Sequence, residues 1–358
     1  PENTDYLAKP RTESRLRQAE DGTWNLTEVE CFVHRAGFPW ERTWTVAGGT
    51  ERPAALRVEA LYAAAAEKTG VPVLGADGFV GLETRSAGGV KVAFEPKTAD
   101  GAHGPAFRLS AANDGAPRRG SWACAKKTFA FPGLDLGEKR LAFGAWVKGD
   151  GSGALLDFQF TTPGEFCGGV SDHFVRLDFT GWKYVTVLLR ERDAARRPSY
   201  EWPSVRGYAA TYRNFVDPRH LGSVSVLLND VASGGKATVE VGEIRALEQV
   251  PAKLENAAVT VNGAPVAVPF AMASGEYAEL EADGWTHYSA MGEKLAVARA
   301  TALPKLAAGE NAVALDAPQG ARAEVTLFAL GAPRPAFVED LTDGMKKEYF
   351  ILYIPGRC

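Results

Sequence analysis

Any chemistry in this chain must come from a short list of side chains. Its five histidines, His34, His103, His173, His220 and His287, are scattered, and none stands in a zinc or nucleophile motif. Asp172-His173 has the make-up of an acid/base pair. Neighbours on a strand, however, project from opposite faces. Glycosidic cleavage would need two carboxyl groups roughly 5–9.5 Å apart across a cleft. Asp157 and Asp178 could supply them, but Lys148 and Arg176 fall on the same expected face and would neutralise them more simply. The GDGSG run at 149–153 lies between two strand-like runs, so it is a turn. A phosphate cradle would have to open a helix. Cys31, Cys124, Cys167 and Cys358 form no C-x-x-C pair and have no histidine at ligand spacing, which argues against zinc. Their spacing leaves both two disulfides and four thiols open.

Binding chemistry has a firmer basis. From Phe143 to Gly181 apolar and polar residues alternate, as on strands with two distinct faces. Phe143, Ala145, Val147, Leu156, Phe158, Phe160, Val175, Leu177 and Phe179 read as the core face. Trp146, Lys148, Asp157, Gln159, Arg176 and Asp178 read as the other. If these strands share a sheet, the second set makes a broad polar and aromatic surface. Sugar rings suit it: their C–H faces stack on aromatics and their hydroxyls need fixed donors and acceptors. The plain alternative is the solvated face of an antiparallel sheet. A second aromatic group lies at Ser199–Phe215, with Tyr200, Trp202, Tyr208, Tyr212 and Arg213 in a long loop-like insert. Loop aromatics of this kind either bind a ligand or fold back as a lid.

The elements that would position these residues are strands. The chain has 358 residues and 46% hydrophobic content, enough for two or three domains with proper cores. Its net charge of −4 offers no basic excess for nucleic acid, and no run approaches the roughly 18–20 apolar residues of a membrane span. A first residue other than Met suggests a processed protein or an excised piece. Turn signals at Asn113-Asp114-Gly115, 149–151, Pro163-Gly164 and Ser233-Gly234-Gly235 separate short strands between Val90 and Leu247, the pattern of a jelly-roll β-sandwich. Asn262-Gly263 between apolar runs predicts a hairpin. The expected class is all-β, divided as an N-terminal β-rich segment at 1–77 that ends a larger upstream domain, a jelly-roll at 78–250, a second, smaller β-sandwich at 251–332, and a tail at 333–358. The alternation of Leu56, Val58, Ala60 and Tyr62 favours a strand over 55–63, despite the helix formers around it. The apolar run Tyr349–Ile354 should be a buried strand beside those of 23–62.

Three stretches carry a resemblance: AFGAWVKGDGSGALLDFQF, SDHFVRLDFTGWKYVTVLL and GSVSVLLNDVASGGKATVEVGEIRAL. Through them, residues 90–248 resemble the galactose-binding-like jelly-roll carbohydrate-binding modules of secreted bacterial polysaccharide-degrading proteins. VNGAPVAVPF, SGEYAEL and LAAGENAVAL give residues 256–331 a resemblance to the small galectin-like sandwich of phage distal-tail proteins. The resemblance implies a non-catalytic glycan-binding region, secreted, periplasmic or at the cell surface, with an upstream glycoside hydrolase domain as partner. Sandwiches that merely brace such a domain, and a jelly-roll lyase or hydrolase, are the rival expectations. No cofactor is required. Such modules often hold a structural calcium, and Glu95, Asp100, Asp114 and Glu243 are the oxygen donors available for one, unless they are plain surface acids.

Overall fold

The computed structural model describes residues 11–18, 24–37, 40–46, 50–100, 103–118, 120–164, 169–189, 216–299, 302–318, 321–332 and 334–335. The insert 190–215 and the run Tyr349–Ile354 lie outside these residues. The described part is almost entirely β and divides into two compact units, 63–250 and 1–62 together with 251–358.

In the unit of 63–250, the described strands form two large antiparallel sheets and a two-stranded ladder of Ala63–Ala64 with Gln249–Val250. The five-stranded sheet runs in the order Val170–Arg176, Leu155–Thr161, Ser223–Asn229, Ala123–Thr128, Glu83–Ser86. The seven-stranded sheet holds Ala142–Asp150 between Thr180–Leu188 on one side and Lys236–Val241 with Ile244–Leu247 on the other. Gly104–Asn113 and then Val90–Asp100 continue it beyond Lys236–Val241. The facing sides meet in one core. Phe143, Ala145 and Val147 come from one sheet; Leu156, Phe158, Phe160, Val224, Val226 and Leu228 come from the other. Phe143 and Phe160 stack at 3.9 Å across it. The alternation read in the sequence is this core's cause: every second residue of each strand faces inward. A single fold of two apolar faces buries them better than either sheet could alone.

The N-terminal limit differs from the expected one. Residues 63–77 belong to the jelly-roll, where Val71–Leu74 pairs with Ile244–Leu247 and the short helix Ala76–Phe79 plugs Phe79 against Phe107. Nor do 11–60 and 253–335 form separate bodies. Arg52–Ala60 pairs with Tyr277–Glu281 on one edge and Arg322–Leu330 on the other, in the middle of a nine-stranded sheet. Its inward face is wholly apolar, with Ala54, Leu56, Val58 and Ala60 all buried, while the opposite face carries buried Ala55 beside the half-buried Arg57 and Glu59. Trp40–Val46 likewise joins Gly309–Asp316 in a four-stranded sheet that shares its core. The second sandwich is therefore built from both ends of the described chain. The hairpin at Asn262-Gly263 is present, with φ of 50° and 81° at its two turn residues.

Candidate functional site

The outer face of the five-stranded sheet is organised in four rungs. Strand register sets Thr161, Ser223 and Thr128 on the first. Asp172, Gln159, Ser225, Lys126 and Glu83 form the second. Phe174, Asp157, Leu227, Cys124 and Arg85 form the third, and Arg176, Leu155 and Asn229 the fourth.

The inner part of this face is neither a solvated surface nor an open platform. Asp157, Asp172 and Asn229 are 0% exposed and Gln159 is 6% exposed. Burial of this kind requires partners, and they are present. The Gln159 amide donates to Asp172 at 2.6 Å, the His173 backbone N–H donates to Asp157 at 2.8 Å, and the Asp230 N–H donates to Asn229 at 2.7 Å. Arg176 donates to the Gly153 carbonyl at 2.8 Å and lies 3.6 Å from Asp230. Burial pushes the Cys124 thiol up to about 12; Lys126 acts against that shift and Asp157 adds to it. Asp178 is exposed in the turn that follows this sheet. His173 faces the core, bonded to Ser171 at 2.6 Å, so it shares no site with Asp172.

Only the first rung opens. A cleft of about 320 Å³ is lined there by Lys126, Thr128, Phe129, Phe131, Thr161, Pro163, Gly222 and Ser223. Phe131 is 66% exposed. The Thr161 and Ser223 hydroxyls bond to each other at 2.6 Å, which leaves one of the two O–H groups to donate outward. Among the described residues no carboxylate lines the cleft. The faces expected from 143–181 and the insert at 199–215 do not include these residues. The strand ends at Thr128. The Phe-x-Phe pair just ahead of Pro132-Gly133 was the available signal, because a turn frees aromatics from the alternation of a strand.

Trp146 is not on this face. It and Lys148 sit on the seven-stranded sheet, so the expected single surface is split between the two outer sides of the sandwich. Trp146 is closed in by its own neighbours. His103 stacks on it at 3.7 Å, Tyr184 meets it edge-on at 5.4 Å, and its indole N–H reaches Glu67 at 3.1 Å. Gly144 makes room for Tyr184, since a Cβ there would overlap the phenol oxygen. Burial, then the charge of Glu67, pushes the Tyr184 phenol up to about 12. Lys148 and Arg108 both address Glu240, at 3.7 and 2.8 Å. Tyr200, Trp202, Tyr208, Tyr212 and Arg213 lie outside the described residues.

The suggested calcium donors are not brought together. Glu95 pairs with Arg108 at 2.6 Å, Asp114 with Lys91 at 2.5 Å, and Glu243 with Arg245. Each acid is matched by a basic neighbour on the next strand or turn. The side chain of Asp100 is outside the described residues. Among those described, no group of three or more His, Cys, Asp or Glu could hold a metal. No helix in the described residues is long and apolar enough to cross a membrane.

No family model matches the sequence, and no curated protein does. Among solved structures, the chain is similar to CtCBM11, with TM-score 0.30 and 14% identity over 57% of this chain and 98% of that one. It is similar to a carbohydrate-binding module of the β-sandwich superfamily, with TM-score 0.29 and 13% identity over 68% and 75%. A family 30 carbohydrate-binding module gives TM-score 0.29 and 16% identity over 50% and 84%. Scores and identities this low say nothing about this chain's ligand.

Proposed function

We propose that the chain is a non-catalytic carbohydrate-binding region, with glycan seated at the open end of the five-stranded sheet. The observation that carries this is the cleft: an exposed aromatic ring beside three hydroxyl groups, at the end of a rigid sheet. A sugar ring can lay its C–H face on Phe131 while its hydroxyls meet Thr128, Thr161 and Ser223. The absence of any lining carboxylate among the described residues leaves the cleft without the acid pair that glycoside cleavage needs. The motif resemblance of residues 90–248 supports the same reading and adds a context: a secreted bacterial glycan-processing protein, with catalysis in another domain.

A second reading is that the sandwich braces a neighbouring catalytic domain. Affinity electrophoresis through gels carrying soluble polysaccharides separates the two. On the glycan reading, one or more polysaccharides retard the chain, and Phe131→Ala abolishes most of the retardation. Mobility unchanged across a broad polysaccharide panel would overturn the glycan reading and leave the bracing one.

A further inference from the structure

We propose that the ligand of this cleft carries a negative charge: a sugar bearing a carboxylate or a sulfate ester, read by Lys126. The inference rests on the glycan-binding reading of the cleft and adds the class of sugar to it.

The cleft has one ionisable lining group among the described residues, and that group is a cation. Lys126 stands on the second rung, next to the hydroxyl rung, with its backbone held between the strands of Ser225 and Glu83. Its one carboxylate neighbour in register is Glu83, which pairs with Arg85 at 3.7 Å. Among the described residues no ion pair involves Lys126, whereas Arg85, Arg118 and Arg176 each have a carboxylate within 4 Å. Its ammonium is therefore available to a ligand. Its field already acts along this face, since it opposes the upward shift of the Cys124 thiol.

The surrounding groups suit an anion as well. Hydroxyls donate to carboxylate or sulfate oxygens, and Thr128 together with one of the mutually bonded Thr161 and Ser223 supplies them. No acidic side chain among the described residues lines the cleft to repel the ligand. A neutral sugar would use the aromatic ring and the hydroxyls but would leave the ammonium without a counter-charge. The chain as a whole has a net charge of −4, so the attraction is local to this cleft and not a property of the overall field. An exposed charge contact is screened by salt, which gives the proposal a second readout.

The test uses the full chain and three oligosaccharides of equal length: a neutral galactan, a galacturonate and a sulfated galactan. Binding is measured by calorimetry at low and high salt. At low salt the charged oligosaccharides should bind about 2–5-fold tighter than the neutral one, the gain expected of one partly exposed ion pair. Lys126→Met should erase that preference, so that the three oligosaccharides bind alike, while the melting temperature matches the parent's. Galacturonate and sulfated galactan compared with each other identify which anion fits. Equal affinity for all three, or a preference that survives Lys126→Met, overturns the charge assignment and leaves the glycan reading standing. No binding of any of the three at millimolar concentration, together with no retardation in the polysaccharide panel, overturns both.

Discussion

Trp146→Ala separates the two outer faces of the jelly-roll. A tryptophan in a strand of an aromatic-rich stretch is the obvious ligand-stacking residue, but here the ring is already engaged by its neighbours. His103 covers one face at 3.7 Å, Tyr184 abuts it, and the indole N–H is held by Glu67. A fully buried Trp removes about 250 Å² from water, and Trp146 is roughly half-buried. At about 25 cal/mol per Å² this is worth about 3 kcal/mol. The bond to Glu67 adds about 1 kcal/mol, and relaxation of His103 into the gap recovers part of the total. A loss of about 3 kcal/mol follows. For a unit of this size each kcal/mol shifts Tm by roughly 2–4 °C, so Tm should fall by about 6–12 °C. Differential scanning fluorimetry measures this, and gel retardation by a binding polysaccharide is measured in parallel. Trp146→Ala should melt early and bind normally below its Tm. Phe131→Ala, altered at a residue 66% exposed, should melt within about 2 °C of the parent and bind poorly. If Trp146→Ala keeps its Tm and loses binding, the ring is a ligand platform and the assignment of the site to the five-stranded sheet is wrong.

Two further perturbations probe the scaffold. The Asn113 amide donates to the Ala116 and Val231 carbonyls at 3.0 and 2.9 Å and accepts from the Gly115 and Ala116 N–H groups. Asn113→Asp turns that donor into an acceptor facing two carbonyls. Protonation of the new carboxyl is favoured in the folded state, so its pKa rises above the unfolded value near 3.9. The penalty is then small below about pH 4 and grows as pH rises, to about 2–4 kcal/mol at pH 7. Urea unfolding at pH 4 and pH 7 checks both sign and size. Cys124, a free thiol by its geometry and with its pKa pushed up to about 12 by burial, should resist iodoacetamide at pH 8 until the chain unfolds. Its raised folded pKa means that stability falls as pH rises above the unfolded value of about 8.5. The slope is about 1.4 kcal/mol per pH unit up to the folded pKa, and it is absent in Cys124→Ala.

Strand periodicity made the fold legible where side chains alternate strictly. Phe143, Ala145 and Val147, and Leu156, Phe158 and Phe160, face one core because each strand has apolar residues at every second position. Sheet membership has no such signal. Ala142–Asp150 and Leu155–Thr161 are joined by a short Gly turn and look like a hairpin, yet they cross from one sheet to the other. A tight turn and an inter-sheet connection of similar length look alike in sequence, and the error moved Trp146 onto the wrong surface. Long-range pairing was equally hidden. Nothing within Arg52–Ala60 names Tyr277–Glu281 and Arg322–Leu330 as its neighbours. Its alternation predicts a strand, but only the pairing of both its edges reveals that it is central.

The polar residues of the five-stranded sheet carry a more general lesson about alternation. Polar side chains at every second position were read as facing water, since burying them without partners costs several kcal/mol each. Here they are buried and joined to one another. Gln159 bonds Asp172, Asp157 bonds the His173 N–H, and Asn229 bonds the Asp230 N–H. Such a layer contributes less to stability than apolar side chains of equal volume would, and it tolerates the loss of single members poorly. The two bonds that cross between strands, Gln159 to Asp172 and the His173 N–H to Asp157, fix those strands in one register, because each is made in one alignment only. That rigidity has a consequence at the open end. Thr128, Thr161, Ser223 and Lys126 are held by the same strands, so a ligand there meets hydroxyls and an ammonium already in place, and little ordering entropy remains to be lost on binding. The buried rungs and the open rung thus divide one face between holding the geometry and using it.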